Sequence, residues 1–146
     1  MAASHSITIR VLVLDDSPLV HRILESALRL AIPHLTQVLH VANGVQGLAA
    51  LADSAAANQQ LNLILCDLHM PRMDGLDFLL QMQLRNLAPG VPLLMMTADP
   101  GDPRLLQALA AGAQGFLAKP FTLQQIQARV VSLLRAEGKT ISPQPC

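Results

Sequence analysis

The sequence predicts a doubly wound α/β fold, in which five parallel strands form one sheet and five helices cover both of its faces. Five short aliphatic runs alternate along the chain with longer segments of helical period. The runs are apolar almost throughout, as strands buried on both faces are. The composition agrees with this fold, because 51% of the 146 residues are hydrophobic, only 14% are charged, and neither Trp nor Tyr is present.

Each predicted strand is a short run of Leu, Val, Ile or Met that is bounded by turn-forming or polar residues. The predicted strands are Ile9–Leu14, Gln37–Ala42, Leu61–Cys66, Pro92–Thr97 and Gly115–Ala118. A helical segment separates each strand from the next. Right-handed crossover connections therefore place all five strands parallel in one sheet.

The helical segments carry apolar residues at the spacing of one helix face. The first predicted helix, Leu19–Ala31, carries Leu19, Ile23 and Leu24 on its apolar face. It follows Ser17 and Pro18, which supply a capping side chain and a first-turn proline. The next three predicted helices are Gly44–Ala57, Leu76–Leu87 and Pro103–Ala111. Thr122 opens the last helix, which is expected to bury Leu123, Ile126, Val130, Leu133 and Leu134.

A single domain accounts for most of the chain, since 146 residues are enough for one hydrophobic core. The helical period ends near Ala136, and the residues after it gain Pro and Ser. We therefore expect one domain over residues 1–136, followed by a tail or the start of a linker over residues 137–146.

Charge and hydropathy argue against two classes of partner. Ten Lys plus Arg balance ten Asp plus Glu, so the chain lacks the basic surface and the aromatic side chains that nucleic-acid binding favours. The apolar runs fall short of the ~18 residues of a membrane span, and Met1–Ser6 shows no secretory signal. We expect a cytoplasmic protein that binds neither nucleic acid nor membrane.

The cysteines and histidines predict no metal centre. Cys66 lies within an apolar run and is expected to be a buried core thiol, while Cys146 is the last residue. Four of the five histidines are too dispersed along the sequence to indicate a cluster of metal ligands, namely His5, His21, His34 and His40.

Charged and hydroxyl side chains follow the predicted strands at the sheet edge where parallel α/β proteins bind ligands. Asp15 and Asp16 follow the first strand, Asp67 follows the third, Thr97 closes the fourth and Lys119 follows the fifth. Neighbouring carboxylates need a cation, and oxygen ligands without His or Cys favour Mg²⁺. Such a set of carboxylates, Mg²⁺, lysine and hydroxyl can hold a phosphoryl group.

The chain resembles the receiver domains of response regulators over roughly Arg10 to Ala136. The resemblance rests on four motifs in chain order, which are Asp15-Asp16, Asp67–Gly75 (DLHMPRMDG), Thr97-Ala98 and Phe116–Phe121 (FLAKPF). Each motif alone is modest, but four in this order, each at a strand end, are specific. The resemblance implies a flavodoxin-like sheet with strand order 2-1-3-4-5 and a function in two-component or phosphorelay signalling.

The resemblance implies a role for each residue of the acidic motifs. Asp67 would accept a phosphoryl group from a histidine kinase or a histidine phosphotransfer protein. Asp15, Asp16, Asp67 and the backbone carbonyl of His69 would bind Mg²⁺. Two-component receivers of this kind are phosphoproteins that carry an aspartyl phosphate.

The resemblance also implies a conformational switch. Lys119 would pair with the phosphoryl oxygens, and Thr97 would move to hydrogen-bond one of them. Phe116 would then turn inward and change the surface of the fourth helix, fifth strand and fifth helix. Through that surface the chain would contact an effector protein, an output domain or a second copy of itself. The peptide bond between Lys119 and Pro120 would be cis.

Four neighbours of the site carry further expectations. His69 and Asp99 each lie two residues after a site residue, and we hypothesise that they shape the path of the water that removes the phosphoryl group. The alternative for His69 is an exposed loop side chain. Asp74 is expected to cap the following helix or to take part in the chemistry, and Gly75 is expected to shape the loop.

Two alternatives would use such a pocket differently. An Mg²⁺-dependent phosphatase with an aspartyl nucleophile would place the nucleophile after the first strand and an acid two residues later. Asp15-Asp16-Ser17 lacks that spacing, and we expect no cap domain. A flavin or nucleotide binder would need a Gly-rich loop after the first strand. We therefore expect a signalling protein that is not an enzyme and catalyses only its own phosphorylation and dephosphorylation.

Overall fold

A computed structural model describes residues 8–136, in which five strands alternate with five helices. The strands are β1 (Ile9–Leu14), β2 (Leu35–Val41), β3 (Leu63–Asp67), β4 (Leu93–Thr97) and β5 (Phe116–Ala118). The helices are α1 (Pro18–Ala31), α2 (Gly44–Ala56), α3 (Gly75–Leu84), α4 (Pro103–Ala111) and α5 (Leu123–Ala136). The predicted tail at residues 137–146 lies outside the described residues.

All neighbouring strands pair in parallel, in the order β2-β1-β3-β4-β5. The predicted fold class and strand order are therefore confirmed. The chain passes from β1 outward to β2 and then back across β1 to β3, so the direction of winding reverses beside β1. In open α/β sheets the crevice at the carboxyl ends of the strands on either side of such a reversal is where ligands bind.

Successive strand residues face two separate apolar cores, as the period of two along a strand requires. Leu12 and Leu14 pack into the core covered by α2, α3 and α4, whereas Val11 and Val13 pack into the core covered by α1 and α5. Cys66 of β3 is fully buried, as predicted, and burial raises the pKa of its thiol well above the usual range. Because both faces are apolar, charged side chains gather at the strand ends.

Polar side chains cap the first four helices. The capping residues are Ser17, Asn43, Asp74 and Asp102, and each accepts a hydrogen bond from a backbone N–H two or three residues later. These caps satisfy amide groups that a helix leaves without an internal partner. The predicted caps at Ser17 and Asp74 are confirmed. All four helix starts lie at the sheet edge that carries the strand-end residues.

Helix α3 ends at Leu84 rather than at the predicted Leu87. Asn86 adopts a left-handed conformation with φ 51°, and the amide of Leu87 donates to the carbonyl of Met82 at 2.9 Å. This is a common way to end a helix. The apolar spacing continues through Leu87, so the periodicity alone could not show where the backbone turns. Strand β3 also runs one residue further than predicted and includes Asp67.

Three leucine and isoleucine side chains expected on buried helix faces are exposed, namely Leu19 (57%), Ile23 (44%) and Leu123 (40%). Leu24 and Leu28 form the buried stripe of α1. At about 100° per residue, Leu19 and Ile23 lie to the side of that stripe. Leu123 is the first residue of α5 and precedes the turns that pack on the sheet.

The longest helices, α1 and α5, have 14 residues each. No helix within residues 8–136 has the length and apolarity that crossing a membrane requires.

Candidate functional site

Three aspartates converge at the carboxyl ends of β1 and β3. Asp15 and Asp16 directly follow β1, and Asp67 is the last residue of β3. One oxygen of each carboxylate lies within 4.8 Å of the other two. Asp15 and Asp67 are buried while Asp16 is exposed, so the group opens to solvent on one side. Converging carboxylate oxygens with an open side fit a hard divalent cation such as Mg²⁺.

Lys119 brings a positive charge to the same place from the end of β5. Its Nζ lies 2.6 Å from Oδ2 of Asp15 and 3.3 Å from Oδ2 of Asp67. Its backbone amide donates to the carbonyl of Thr97 at 2.7 Å, which ties the end of β5 to the end of β4. The peptide bond between Lys119 and Pro120 is cis, as the resemblance implied.

The electrostatics of the group leave negative charge in excess. Burial is the main reason that the pKa of Asp67 is raised, and the charge of Asp15 adds to the effect, while Lys119 opposes it. Burial lowers the pKa of Lys119, but its hydrogen bond to Asp15 and the two aspartate charges outweigh burial, so the pKa of Lys119 is raised. The lysine is therefore protonated, and a bound cation would relieve the remaining repulsion.

The loop after Asp67 returns closely past the end of β3. The amide of Gly75 donates to the carbonyl of Leu68 at 2.9 Å. A Cβ atom on Gly75 would lie 2.5 Å from the carbonyl oxygen of Asp67, closer than real Cβ contacts come. The backbone amide of His69 points at Oδ1 of Asp67 from 3.5 Å. Gly75 thus shapes the loop by its lack of a side chain, as expected.

The predicted switch residues lie on neighbouring strands. Thr97 is buried, and its hydroxyl donates to the carbonyl of Asp99 at 3.2 Å and accepts from the amide of Asp99 at 3.0 Å. Phe116 is half-buried and packs against the core covered by α2, α3 and α4. Thr97 pairs in register with Ala118, two residues from Phe116. The hydroxyl of Thr97 is thus engaged by the loop after β4.

His69 contacts a residue that the sequence did not single out. Its Nε2 lies 2.6 Å from Oδ2 of Asp102, whose other oxygen caps α4. The cap of α3, Asp74, lies 2.7 Å from the guanidinium of Arg104 in the same way. The Asp-Pro pair at the start of α4 indicates a helix cap. No feature of the sequence indicates that this cap, Asp102, would also contact His69, or that the cap of α3, Asp74, would also contact Arg104.

Asp99, which with His69 is hypothesised to shape the path of the attacking water, accepts a hydrogen bond from the amide of Gly101 at 2.9 Å. Its carboxylate therefore shapes the turn after β4. Among the described residues, the acid in contact with the imidazole of His69 is Asp102.

Two histidines that lie far apart in the sequence, His21 and His40, meet on the surface of the protein. Nδ1 of His21 on α1 lies 2.6 Å from Nδ1 of His40 on β2. The contact depends on the pairing of β2 with β1 and on the position of α1 above them. The one indication in the sequence is weak: Glu25 lies one helical turn after His21, on the same face of α1. In the structure Glu25 lies 2.6 Å from Nε2 of His40.

Comparison with known proteins finds a matching family and solved structures of the same fold. A family model described as the response regulator receiver domain matches residues 11–131. The chemotaxis response regulator CheY4 of Vibrio cholerae has a solved structure that matches with a TM-score of 0.71 and 27% sequence identity, over 87% of this chain and 99% of that chain.

Two curated relatives differ in length. The chain is 31% identical over 126 residues to the chemotaxis protein CheY1 of Helicobacter pylori, covering 86% of this chain and 96% of CheY1. It is 31% identical over 132 residues to the probable transcriptional regulatory protein TcrX of Mycobacterium tuberculosis, covering 90% of this chain but 52% of TcrX. The family model, the sheet order and the relatives agree, and the chain belongs to the response regulator receiver domain family of two-component signalling.

Proposed function

We propose that the chain is a phosphoacceptor in which Asp67 takes a phosphoryl group from the phosphohistidine of a kinase or of a histidine phosphotransfer protein. An oxygen of Asp67 forms the new P–O bond while the P–N bond of the donor breaks and its electron pair returns to the imidazole. The observation that carries the proposal is the convergence of Asp15, Asp16, Asp67 and Lys119 at the edge of the sheet.

We propose that the acidic group holds Mg²⁺. Asp15, Asp16 and Asp67 offer three oxygens within 4.8 Å of one another, and the backbone carbonyl of His69 is proposed as a further ligand. A bound Mg²⁺ ion supplies positive charge that stabilises the oxygens of the transferring phosphoryl group. The charge excess at the site supports this proposal, because the single ammonium group of Lys119 offsets one of three carboxylates.

Lys119 and Thr97 are proposed to contact the phosphoryl oxygens. The ammonium group of Lys119 already lies 3.3 Å from Asp67 and needs only a small movement. Thr97 must give up the hydrogen bond that it donates to the carbonyl of Asp99 before its hydroxyl can donate to a phosphoryl oxygen. This exchange is favourable only when the phosphoryl group is present, which is the requirement for a two-state switch. Phe116, on the neighbouring strand, would repack as Thr97 moves.

The proposed output is a changed surface on α4, β5 and α5. Leu106 on α4 and Leu123 on α5 are large apolar side chains that are 65% and 40% exposed. Exposed leucines of this kind can anchor a protein partner. The partner is proposed to be an effector protein, an attached output domain or a second copy of the chain.

We place this function in the cytoplasm and propose no activity on a separate substrate. The chain would catalyse only the phosphorylation of Asp67 and the hydrolysis of the resulting acyl phosphate. Membership of the receiver family favours this proposal over the phosphatase alternative.

Incubation with acetyl phosphate and Mg²⁺, followed by intact-mass measurement, tests the proposal. We expect one adduct of about 80 Da per chain, the mass of one added HPO₃ unit. Asp67→Asn should abolish the adduct. The matched control Asp53→Asn, which changes an exposed acid near the far end of α2, should keep it. An adduct that persists in Asp67→Asn, or steady turnover of a small phosphate ester, would contradict the proposal.

A further inference from the structure

His21, His40 and Glu25 form a polar cluster that the proposed phosphoryl transfer does not use. Nε2 of His21 lies 2.6 Å from the backbone carbonyl oxygen of Asp15, and Nε2 of His40 lies 2.6 Å from Oε1 of Glu25. The two Nδ1 atoms face each other at 2.6 Å. The cluster lines a cleft that is open to solvent and also bordered by Arg22 and Ser26.

The outer nitrogen of each ring must carry a hydrogen atom, because its partner can only accept. A backbone carbonyl offers only lone pairs, and so does an ionised carboxylate. Hydrogen bonds from His40 and Arg29 lower the pKa of Glu25, which is therefore ionised. With Nε2–H on both rings, each neutral imidazole presents a bare lone pair at Nδ1. Two lone pairs at 2.6 Å repel each other unless a proton or a metal ion lies between them.

We propose that His21 and His40 bind one divalent transition metal ion, of the class of Zn²⁺ or Cu²⁺, through their Nδ1 atoms. Metal-binding histidines usually donate the other ring N–H to a carboxylate or a backbone carbonyl, which orients the ring. Glu25 and the carbonyl of Asp15 supply these two acceptors. Water from the open cleft would complete the coordination shell.

The geometry needs little adjustment to accept the ion. With metal–nitrogen distances of about 2.0 Å, neighbouring ligands lie about 2.9 Å apart in a square-planar site and about 3.3 Å apart in a tetrahedral one. The observed separation of 2.6 Å is thus short by less than 1 Å, and His40 lies on the edge strand β2. Imidazole nitrogens suit Zn²⁺ and Cu²⁺, whereas the carboxylates of the acidic group suit Mg²⁺, so an excess of Mg²⁺ is needed to keep the other ions from the acidic group.

Calorimetric titration with Zn²⁺ and with Cu²⁺ in millimolar Mg²⁺, which occupies the acidic group, tests the proposal at about pH 8, where imidazole is neutral. The protein should carry His5→Ala and Cys146→Ser, because these two residues lie outside the described residues and could bind metal. We expect one ion per chain. His21→Ala and His40→Ala should each weaken binding more than about tenfold, and Glu25→Gln should weaken it about tenfold. The matched control His34→Ala, an exposed histidine, should bind as before.

Electron paramagnetic resonance of the Cu²⁺ complex gives a readout that needs no variant, since two equatorial nitrogen ligands are expected. No binding at about 100 µM metal, or equal binding in His40→Ala, would overturn the proposal and leave the two nitrogens sharing a proton. Asp67→Asn, which should fail to be phosphorylated, is expected to bind the ion normally. The metal site and the phosphoacceptor function can therefore fail separately.

Discussion

Asp15 and Asp67 are both buried, yet they share Lys119 unequally. The ammonium group lies 2.6 Å from Asp15 and 3.3 Å from Asp67. The side chain of Asp15 has no exposed surface, whereas that of Asp67 is 9% exposed. Asp67 is therefore the carboxylate that is less well neutralised and more accessible, which are the properties that a nucleophile for an incoming phosphoryl group needs.

Asp67→Asn is expected to stabilise the metal-free protein, by about 1 kcal/mol. The pKa of Asp67 is raised above 3.8 in the folded state, so ionisation of this group costs folding free energy. The cost is present above the folded pKa and disappears as the pH falls below 3.8. The gain in Asp67→Asn should therefore be seen at neutral pH and vanish in acid. Thermal unfolding in EDTA, at neutral pH and below pH 3.8, measures the difference in stability between Asp67→Asn and the wild type.

Asp53→Asn is the control for this experiment, because Asp53 is exposed and lies on α2 away from the acidic group. It should leave the unfolding temperature unchanged. A neutral-pH loss of stability in Asp67→Asn would show that the contact with Lys119 outweighs burial and repulsion.

The sequence could place Asp15, Asp67 and Lys119 together because each follows or ends a strand, and parallel strands end at one edge. It could not pair His69 with Asp102 or His21 with His40. Those contacts join side chains from different loops and elements, and their distances depend on how far each helix lies from the sheet. Periodicity predicts the strands and the resemblance to receiver domains implies their order, whereas a 2.6 Å contact between side chains is a packing detail.

The start of α3 illustrates how one element limits another. Gly75 opens the helix against the backbone of β3, and a Cβ there would meet the Asp67 carbonyl at 2.5 Å and the Leu68 Cα at 3.0 Å. Both contacts are to backbone atoms, which cannot rotate away. The position of β3, which carries the proposed phosphoacceptor Asp67, and the position of α3 are therefore set together.

Gly75→Ala is expected to lower the free energy of unfolding by about 1–3 kcal/mol, as overpacking in a tight site does. The result would go against helix propensity, since Ala is favoured over Gly in a helix by about 1 kcal/mol. Denaturation in urea measures the change. Phosphorylation of Asp67 by acetyl phosphate should also slow, because the end of β3 at Asp67 and the loop that follows it must shift.

Gly101→Ala is the matched control, because a Cβ there would meet only a side-chain oxygen of Asp99 at 3.3 Å. It should change stability by less than about 0.5 kcal/mol. A Gly75→Ala protein that is as stable as the wild type, or more stable, would mean that the loop yields easily.

Element boundaries were predictable where a residue fixes the backbone. Helix α4 runs over the predicted Pro103–Ala111, between a proline that starts helices and Gly112 with φ 124°. Helix α3 instead ends early, at Leu84, and is followed by Asn86, a residue type that adopts the left-handed conformation only in some contexts. Burial was predictable for central turns of helices but not for Leu19 or Leu123 in first turns.

The whole molecule concentrates its few charges because its sheet is buried on both faces. All residues of β3 and β4 are buried, including the aspartate that ends β3. With 14% charged residues in total, the grouping of three aspartates at one edge is costly for folding unless a cation is bound.

Mg²⁺ is therefore expected to raise the melting temperature of the protein by mass action. At a concentration a hundredfold above its dissociation constant, the ion would add about 2.7 kcal/mol to stability, or roughly 5–10 °C. Differential scanning calorimetry with and without Mg²⁺ measures the shift.

Na⁺ at matched ionic strength should give little of this shift, and Asp16→Asn should reduce it. Equal shifts with Na⁺ and Mg²⁺, or no shift at millimolar Mg²⁺, would argue against a cation site among the aspartates.

Helices α1 and α5 pack side by side under the same face of the sheet. Each helix of a parallel α/β fold runs back against its strands, so α5 ends at the edge where β1 begins. The two ends of the described segment, near residues 8 and 136, therefore emerge together and away from the aspartates. Such neighbouring ends can be joined at little entropic cost. The domain is accordingly suited to circular permutation, or to insertion as a unit into a surface loop of a host protein.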